Sequence, residues 1–214
     1  MVRAVNFGTV VPVPAIPGQE EALAKVFTEL QAKAVAEPEV YQWYASKVIG
    51  TSEFVVLDTF STTEEREAHF KGALPKTLLG HGGNLIAAAP NHAEILTEIL
   101  AYKINKAGDD VKTGLTTGVK ATFTAKPEKK EVVRKFLIDA LPLAEAEIGT
   151  ISWYALHWPG TDKFGIMDFF SNDEAREAHL SGPIAAALVA SVEELLAGPP
   201  DIVKLEVVSA KVDL

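Results

Sequence analysis

Two acid–imidazole pairs are the residues of this chain best suited to moving a proton. Asp58 is followed by His69, and Asp168 by His179, at one spacing (69 − 58 = 179 − 168 = 11). An unperturbed imidazole titrates near neutral pH, and a carboxylate beside it can accept or return a proton. Each Asp sits in an aromatic stretch with alternating spacing. Phe54, Val56, Asp58 and Phe60 share one face of an extended strand, as do Phe164, Ile166, Asp168 and Phe170. A carboxylate on such a face is an unusual placement; burial raises its pKa and a nearby imidazolium lowers it. Two roles fit: an acid/base pair, or a scaffold in which the Asp accepts turn hydrogen bonds and the His closes the packing. Occurrence in both places slightly favours the scaffold.

Other candidates surround these pairs. Trp43-Tyr44-Ala45 recurs as Trp153-Tyr154-Ala155. Adjacent strand residues face opposite ways, so one aromatic of each pair lines a cavity and the other packs on helices. An aromatic wall would stack on a flat ligand; a plain core role is the simpler reading. His157 occurs only in the second half, where the first has Lys47. It shares a face with Trp153 and Ala155, which makes it a candidate base or polar anchor, or a solvated strand-end His. The expected catalytic set is Asp168, His179 and His157. The expected binding set is Trp153, Tyr154, Phe164 and Phe170, with Trp43, Asp58 and His69 as first-half counterparts. The second half is favoured because it alone carries His157 and Trp158. Five His without H-x-x-x-H spacing, and no Cys, predict neither a metal site nor a bound cofactor.

The elements that must position these residues come as a duplicated set. A shift of 110 (153 − 43) aligns the two halves without a gap over most of their length. Pro17 falls on Pro127, Glu37 on Glu147, Phe60 on Phe170, Arg66 on Arg176 and Gly72 on Gly182. Residues 1–104 form the first repeat, 105–118 a polar, Gly-containing linker, and 119–214 the second repeat. Each repeat reads β-α-β-β-α-α-β. Strands are expected at 10–13, 40–48, 54–60 and 93–104, and at 119–124, 150–158, 164–170 and 202–212. Helical apolar spacing covers 18–36 and 128–146, with Pro142 interrupting the latter. Ser61 and Ser171, each with an acid three positions on, open the next helices. The Gly80–Gly83 stretch reads as a broken helix.

The predicted fold class is α+β: two tandem ferredoxin-like β-α-β-β-α-α-β repeats whose antiparallel sheets pair into a dimeric-type α+β barrel. The face bearing Phe54, Val56 and Phe60 is apolar and needs cover, and a second sheet would supply it. That face is therefore expected to line a central apolar cavity.

Composition narrows the function. The 214 residues carry 20 Lys+Arg against 29 Asp+Glu, a net charge of −9. Scattered cations on an acidic chain argue against nucleic acid. No apolar run reaches the ~18–20 residues of a membrane span. No secretory signal is evident, so a cytoplasmic protein with a small aromatic or apolar ligand is expected, as a pseudo-dimeric monomer or a further homo-oligomer.

The stretch Phe164–Gly182, with Trp153-Tyr154-Ala155 before it and Leu195-Leu196-Ala197-Gly198-Pro199-Pro200 after it, resembles the antibiotic biosynthesis monooxygenase family. The first repeat matches more loosely through Phe54–Gly72. The resemblance implies the dimeric α+β barrel fold and cofactor-free oxygenase or cyclase chemistry on an aromatic or polyketide-like compound. It equally implies a non-catalytic ligand-binding or stress-associated barrel. Quinone-forming members use an Asn and a Trp on the third strand and a Tyr in the next helix. Those places hold Val56/Ile166, Phe60/Phe170 and Arg66/Arg176 here. In haem-degrading members a Trp stands where this chain has His69/His179, and their last-helix His falls on apolar positions here.

Overall fold

A computed structural model describes residues 4–105 and 114–213. Most of the expected linker, 106–113, lies outside the described residues. The first repeat contains β1 (Phe7–Pro14), α1 (Glu20–Ala36), β2 (Gln42–Val48), β3 (Glu53–Phe60), α2 (Thr63–Phe70), α3 (Ala73–Leu79), α4 (His92–Ile95) and β4 (Leu96–Ile104). The second contains β5 (Thr117–Thr124), α5 (Lys130–Asp139), α6 (Leu141–Ala146), β6 (Thr150–His157), β7 (Lys163–Phe170), α7 (Asp173–Leu180), α8 (Pro183–Leu195) and β8 (Asp201–Val212).

Local chemistry explains most boundaries. In α1, Leu23, Phe27, Leu30 and Ala34 form the buried stripe that the 3.6-residue period requires. The matching helix of the second repeat is split at Ala140, and Pro142 opens α6 where its missing N–H costs nothing. Gly50 and Gly160 take positive φ in the β2–β3 and β6–β7 turns, a conformation that favours glycine. The caps of α2 and α7 lie one residue beyond the expected serines. Thr62 accepts from Glu65 N while the Glu65 side chain returns a bond to Thr62 N, and Asn172 accepts from Ala175 N. The predicted strand start at 93 is instead the short helix α4, capped by Asn91.

Antiparallel pairing fixes the register. Thr9 and Trp43 both stand opposite Asp58, and Val119 and Trp153 both stand opposite Asp168. The strands follow the order β1-β3-β2-β8-β5-β7-β6-β4, which closes as an α+β barrel.

Two compact units are present, and each contains a strand segment from the other repeat. The first unit is 1–97 with 206–214; the second is 98–205. Within the first unit, Lys211 of β8 reaches the end of α1, where its Nζ donates to Glu37 O at 2.8 Å and Val40 O at 2.6 Å. Within the second, Lys103 of β4 does the same for Ala144 O at 2.8 Å and Glu147 O at 2.6 Å. These carbonyls lie at or just past a helix end, outside the regular helical pattern, and a buried ammonium gives them a further donor. Burial holds the Lys103 pKa below its ordinary value, against the opposing pull of Glu147 and Glu145.

The sheet face expected to line a cavity between sheets does not do so. Trp43, Ala45, Phe54, Val56 and Phe60 pack against Leu23, Phe27 and Leu30 of α1 and Leu74 and Leu78 of α3. Trp153, Ala155, Phe164 and Ile166 pack likewise against Val133, Leu137, Ile184 and Leu188. The unit's own helices are the cover, because each helix has an apolar stripe that must also be buried.

Replacing Lys211 with Met should take the ammonium from the Val40 carbonyl and leave Glu37 O with only the long bond from Val40 N. A cost of ~1–3 kcal/mol is expected, seen as a lower denaturant midpoint with an unchanged m-value.

Candidate functional site

The helix-facing side of each sheet carries its acid between two neighbours. In the first unit Asp58 lies between Thr9 and Trp43 on the adjacent strands and is almost wholly buried. Helix α2 lies across this end of the sheet. Its Arg66 donates to Gly8 O at 3.3 Å and Thr97 O at 3.1 Å, and its next-turn residue His69 faces Asp58.

A third group, unexpected as a site residue, completes the cluster. Glu37, just past the end of α1, bonds His69 Nδ1 through Oε2 at 2.8 Å. Its other oxygen accepts from Leu74 N at 2.9 Å. Gly72 leaves room for this carboxylate, since a Cβ there would stand 2.7 Å from Glu37 Oε1. The second unit repeats the arrangement: Glu147 Oε2 bonds His179 Nδ1 at 2.6 Å and accepts from Thr150 Oγ1 at 2.9 Å. The signal in the sequence was the match of Glu37 with Glu147 at the 110-residue shift, joined to glycines at 72 and 182.

The copies differ at the acid. Asp58 Oδ2 accepts from Thr9 Oγ1 at 2.7 Å, and Oδ1 stands 3.9 Å from His69 Nε2, beyond hydrogen-bond reach. In the second unit Val119 replaces Thr9, and Asp168 Oδ2 comes to 3.3 Å from His179 Nε2. Asp58 Oδ1, Asp168 Oδ1, Trp43 Nε1 and Trp153 Nε1 are buried without a hydrogen-bond partner.

Electrostatics follows from this geometry. Burial pushes the Asp58 carboxyl up, against the pull of His69 and the Thr9 hydroxyl. Burial likewise raises Asp168 against His179. For Glu37 and Glu147 burial acts upward too, but the bonded imidazole and the hydrogen bonds they accept hold both below the ordinary value. Burial draws both imidazoles down, and their two carboxylate neighbours outweigh it. His69 is raised, and His179 is pushed up to about 10. The Glu is thus the acid bonded to each imidazole, and the Asp is the acid whose carboxyl burial makes more basic.

A cavity of about 210 Å³ reaches this cluster in the first unit. Asp58 and His69 form the polar part of its inner wall. Val11, Val13, Val56, Leu74, Leu78 and Ile86 supply apolar surface. His92 lies edge-on to Phe70 at 4.6 Å, and both line the cavity. The helix break read at Gly80–Gly83 occurs here: α3 stops at Leu79, whereas α8 runs on to Leu195. At the corresponding second-unit positions, Phe123 replaces Val13 and Ile166 replaces Val56, both within that unit's core. The sequence favoured the second repeat as the working copy; a cavity that meets an Asp–His pair lies in the first unit.

The remaining expected residues are dispersed. His157 is on the same face as Trp153 but four residues along β6, ~13 Å from it at strand spacing. Its Nε2 donates to Thr161 O at 3.1 Å, and Nδ1 stands 3.1 Å from both Arg134 Nη2 and Glu98 Oε2, which bond each other at 2.6 Å. It stacks near Phe164, with ring centroids 4.7 Å apart, and anchors the β6–β7 turn away from Asp168. Trp43, Trp153 and Phe164 are core residues beneath the helices, and Phe60 and Phe170 press on His69 and His179 at 5.3 Å. Tyr154 is on the opposite sheet face, stacked on Tyr102 at 6.5 Å. Among the described residues no group of three or more His, Cys, Asp or Glu could hold a metal ion, and no helix is long and apolar enough to cross a membrane.

Comparison with solved structures places this arrangement. A presumed monooxygenase from Fusobacterium nucleatum superposes with a TM-score of 0.82 at 15% identity, over 99% of this chain and 96% of its own. One from Lactobacillus acidophilus gives 0.77 at 9% identity, over 98% and 97%. An uncharacterised ferredoxin-fold protein from Listeria monocytogenes, related to antibiotic biosynthesis monooxygenases, gives 0.54 at 10% identity, over 95% and 94%. The chain has the fold of this monooxygenase-related group. No family model and no curated protein matches the sequence. At these identities the likeness is one of fold, and function has to be argued from the cluster itself.

The raised His179 has a sign that can be checked. A group whose folded pKa lies above its unfolded value stabilises the fold fully below the unfolded pKa, here near 6.5, and progressively less up to about 10. The stability advantage of the native chain over a His179→Gln variant should therefore be largest below pH 6.5 and shrink as pH approaches 10, measured by denaturation across that range. An advantage constant with pH would mean His179 is not charged in the fold.

Proposed function

We propose that the chain is a small-molecule enzyme of the antibiotic biosynthesis monooxygenase type, working in the first unit without metal or bound cofactor. One observation carries this reading: an apolar cavity whose inner wall holds a buried carboxylate with an unpartnered oxygen, beside an imidazole. Its volume of about 210 Å³ is below the ~300–1,000 Å³ of drug-sized sites. That suits one small ring system, an aromatic or polyketide-like compound with a single polar edge.

Asp58 is the proton acceptor in this reading. Its pKa is raised by burial, which brings the carboxylate closer in basicity to a weakly acidic C–H or O–H. His69 compensates the negative charge of the site and is itself fixed by Glu37. A substrate methylene activated by a neighbouring ring or carbonyl would lose a proton to Asp58. With O₂ as oxidant, two C–H bonds are replaced by one C=O bond. The carbon gives up four electrons, O₂ takes four, and the second oxygen atom leaves as water. Without O₂, the same carbanion could close on a carbonyl of the substrate.

A second reading has its own support. The Glu–His–Asp cluster also stands in the second unit, amid larger core side chains, where it serves as scaffold. On that reading the first-unit cavity binds a ligand without turning it over.

Oxygen uptake with a panel of small phenols and activated ring ketones separates the two. Asp58→Asn should lower turnover by ~10²-fold or more, the usual size of a general-base contribution. Asp168→Asn should leave turnover close to native. Binding of the same compounds without uptake or product, in native protein, would establish the non-catalytic reading.

A further inference from the structure

We infer that the hydroxyl of Thr9 is the positioning group that holds the Asp58 carboxylate off His69, so that this residue separates the open acid–imidazole spacing of the first unit from the closed ion pair of the second. The chain contains its own comparison. Each acid has a cross-strand neighbour on β1 or β5, Thr9 in one unit and Val119 in the other, at the same register position. With the threonine, Oδ2 is taken at 2.7 Å and the nearest Asp–His approach is 3.9 Å. With the valine, the acid has no such donor, and it closes on the imidazole to 3.3 Å. The other neighbours match: Trp43 and Trp153 opposite the acids, Glu37 and Glu147 on the far imidazole nitrogen.

A hydroxyl has the right chemistry for this. It donates one hydrogen bond to the carboxylate without adding a charge, so it anchors Oδ2 and leaves Oδ1, the oxygen on the imidazole side, without a donor. That oxygen, Oδ1, is buried and without a partner, and its residue lines the cavity. The ligand class follows: an apolar ring presenting one O–H or N–H to Asp58. The valine of the second unit offers no such donor.

The inference rests on the reading of Asp58 as proton acceptor, and its test is chosen to stand apart from turnover. The other charged or titratable groups about His69 and Asp58 are Glu37 and Glu39 beyond α1, Arg66 on α2 itself, and His92 across the cavity. All are left unchanged. NMR titration of the imidazole signals, assigned with His69→Gln and His179→Gln, reads the pairing directly. His69 should titrate below His179 in the native chain. Thr9→Val should raise it by about one unit or more, toward His179, by releasing Asp58. Thr9→Ser should restore the native titration, and Val119→Thr should lower His179. Binding of p-cresol against toluene gives the second arm. Thr9→Val should weaken p-cresol at least several-fold and leave toluene unchanged. If His69 titrates identically in native and Thr9→Val protein, and Val119→Thr leaves His179 unmoved, Thr9 is not the positioning group. If native protein binds neither probe, the cavity reading above fails while the titrations still decide the role of Thr9.

Discussion

A carboxylate bonded to an imidazole ties together three parts of each unit that are distant in sequence. Glu37 closes the first helix, His69 ends the second, and Asp58 lies on the sheet between them. Burying these charges is costly, and mutual neutralisation together with hydrogen bonds is what makes it tolerable. The imidazole therefore cannot leave without stranding two acids. That constraint sets where α2 lies on the sheet, why Gly72 and Gly182 have no side chain, and why a lysine seals the carbonyls beside each Glu.

The two copies use one frame for different ends. In the second unit the acid and imidazole are drawn together, and Phe123 and Ile166 belong to that unit's core. In the first, smaller side chains and an interrupted helix leave space beside the same groups. Duplication permits this, because one copy can hold the fold while the other gives up packing for a cavity. Such a cavity lowers local stability, a common cost at a working site.

Much of the fold was legible because the repeat made each weak local signal count twice. The strand and helix order, the Pro142 break and the Gly80–Gly83 interruption all follow from backbone chemistry that sequence states directly. The orientation of the sheet was not legible. Both faces of β2 and β3 are buried almost throughout, so alternation groups Asp58 with Phe54, Val56 and Phe60 without saying which face meets the helices. Glu37 and Glu147 were visible as a repeated pair, but a Glu past a helix end looks like a solvated residue until its imidazole partner is located. The same holds for Thr9: its meaning depends on standing across from Asp58, a register that no local pattern fixes. His157 misled for the converse reason. It is unique to one repeat, yet its bonds are to Arg134 and a turn carbonyl.

The placement of the final strands bears on the order in which the molecule can assemble during translation. The second unit is one continuous stretch, 98–205, whereas the first needs 206–214 to be complete. The half that leaves the ribosome first must therefore wait for residues 206–214. Until then the carbonyls at the end of α1 lack their ammonium, and Glu37 is held less firmly. The later half can close as soon as its own strands have emerged. Loss of residues 206–214 would thus leave the second unit intact and remove the anchoring of the unit with the cavity. Completion of the cavity-bearing unit is in this way tied to synthesis through Lys211.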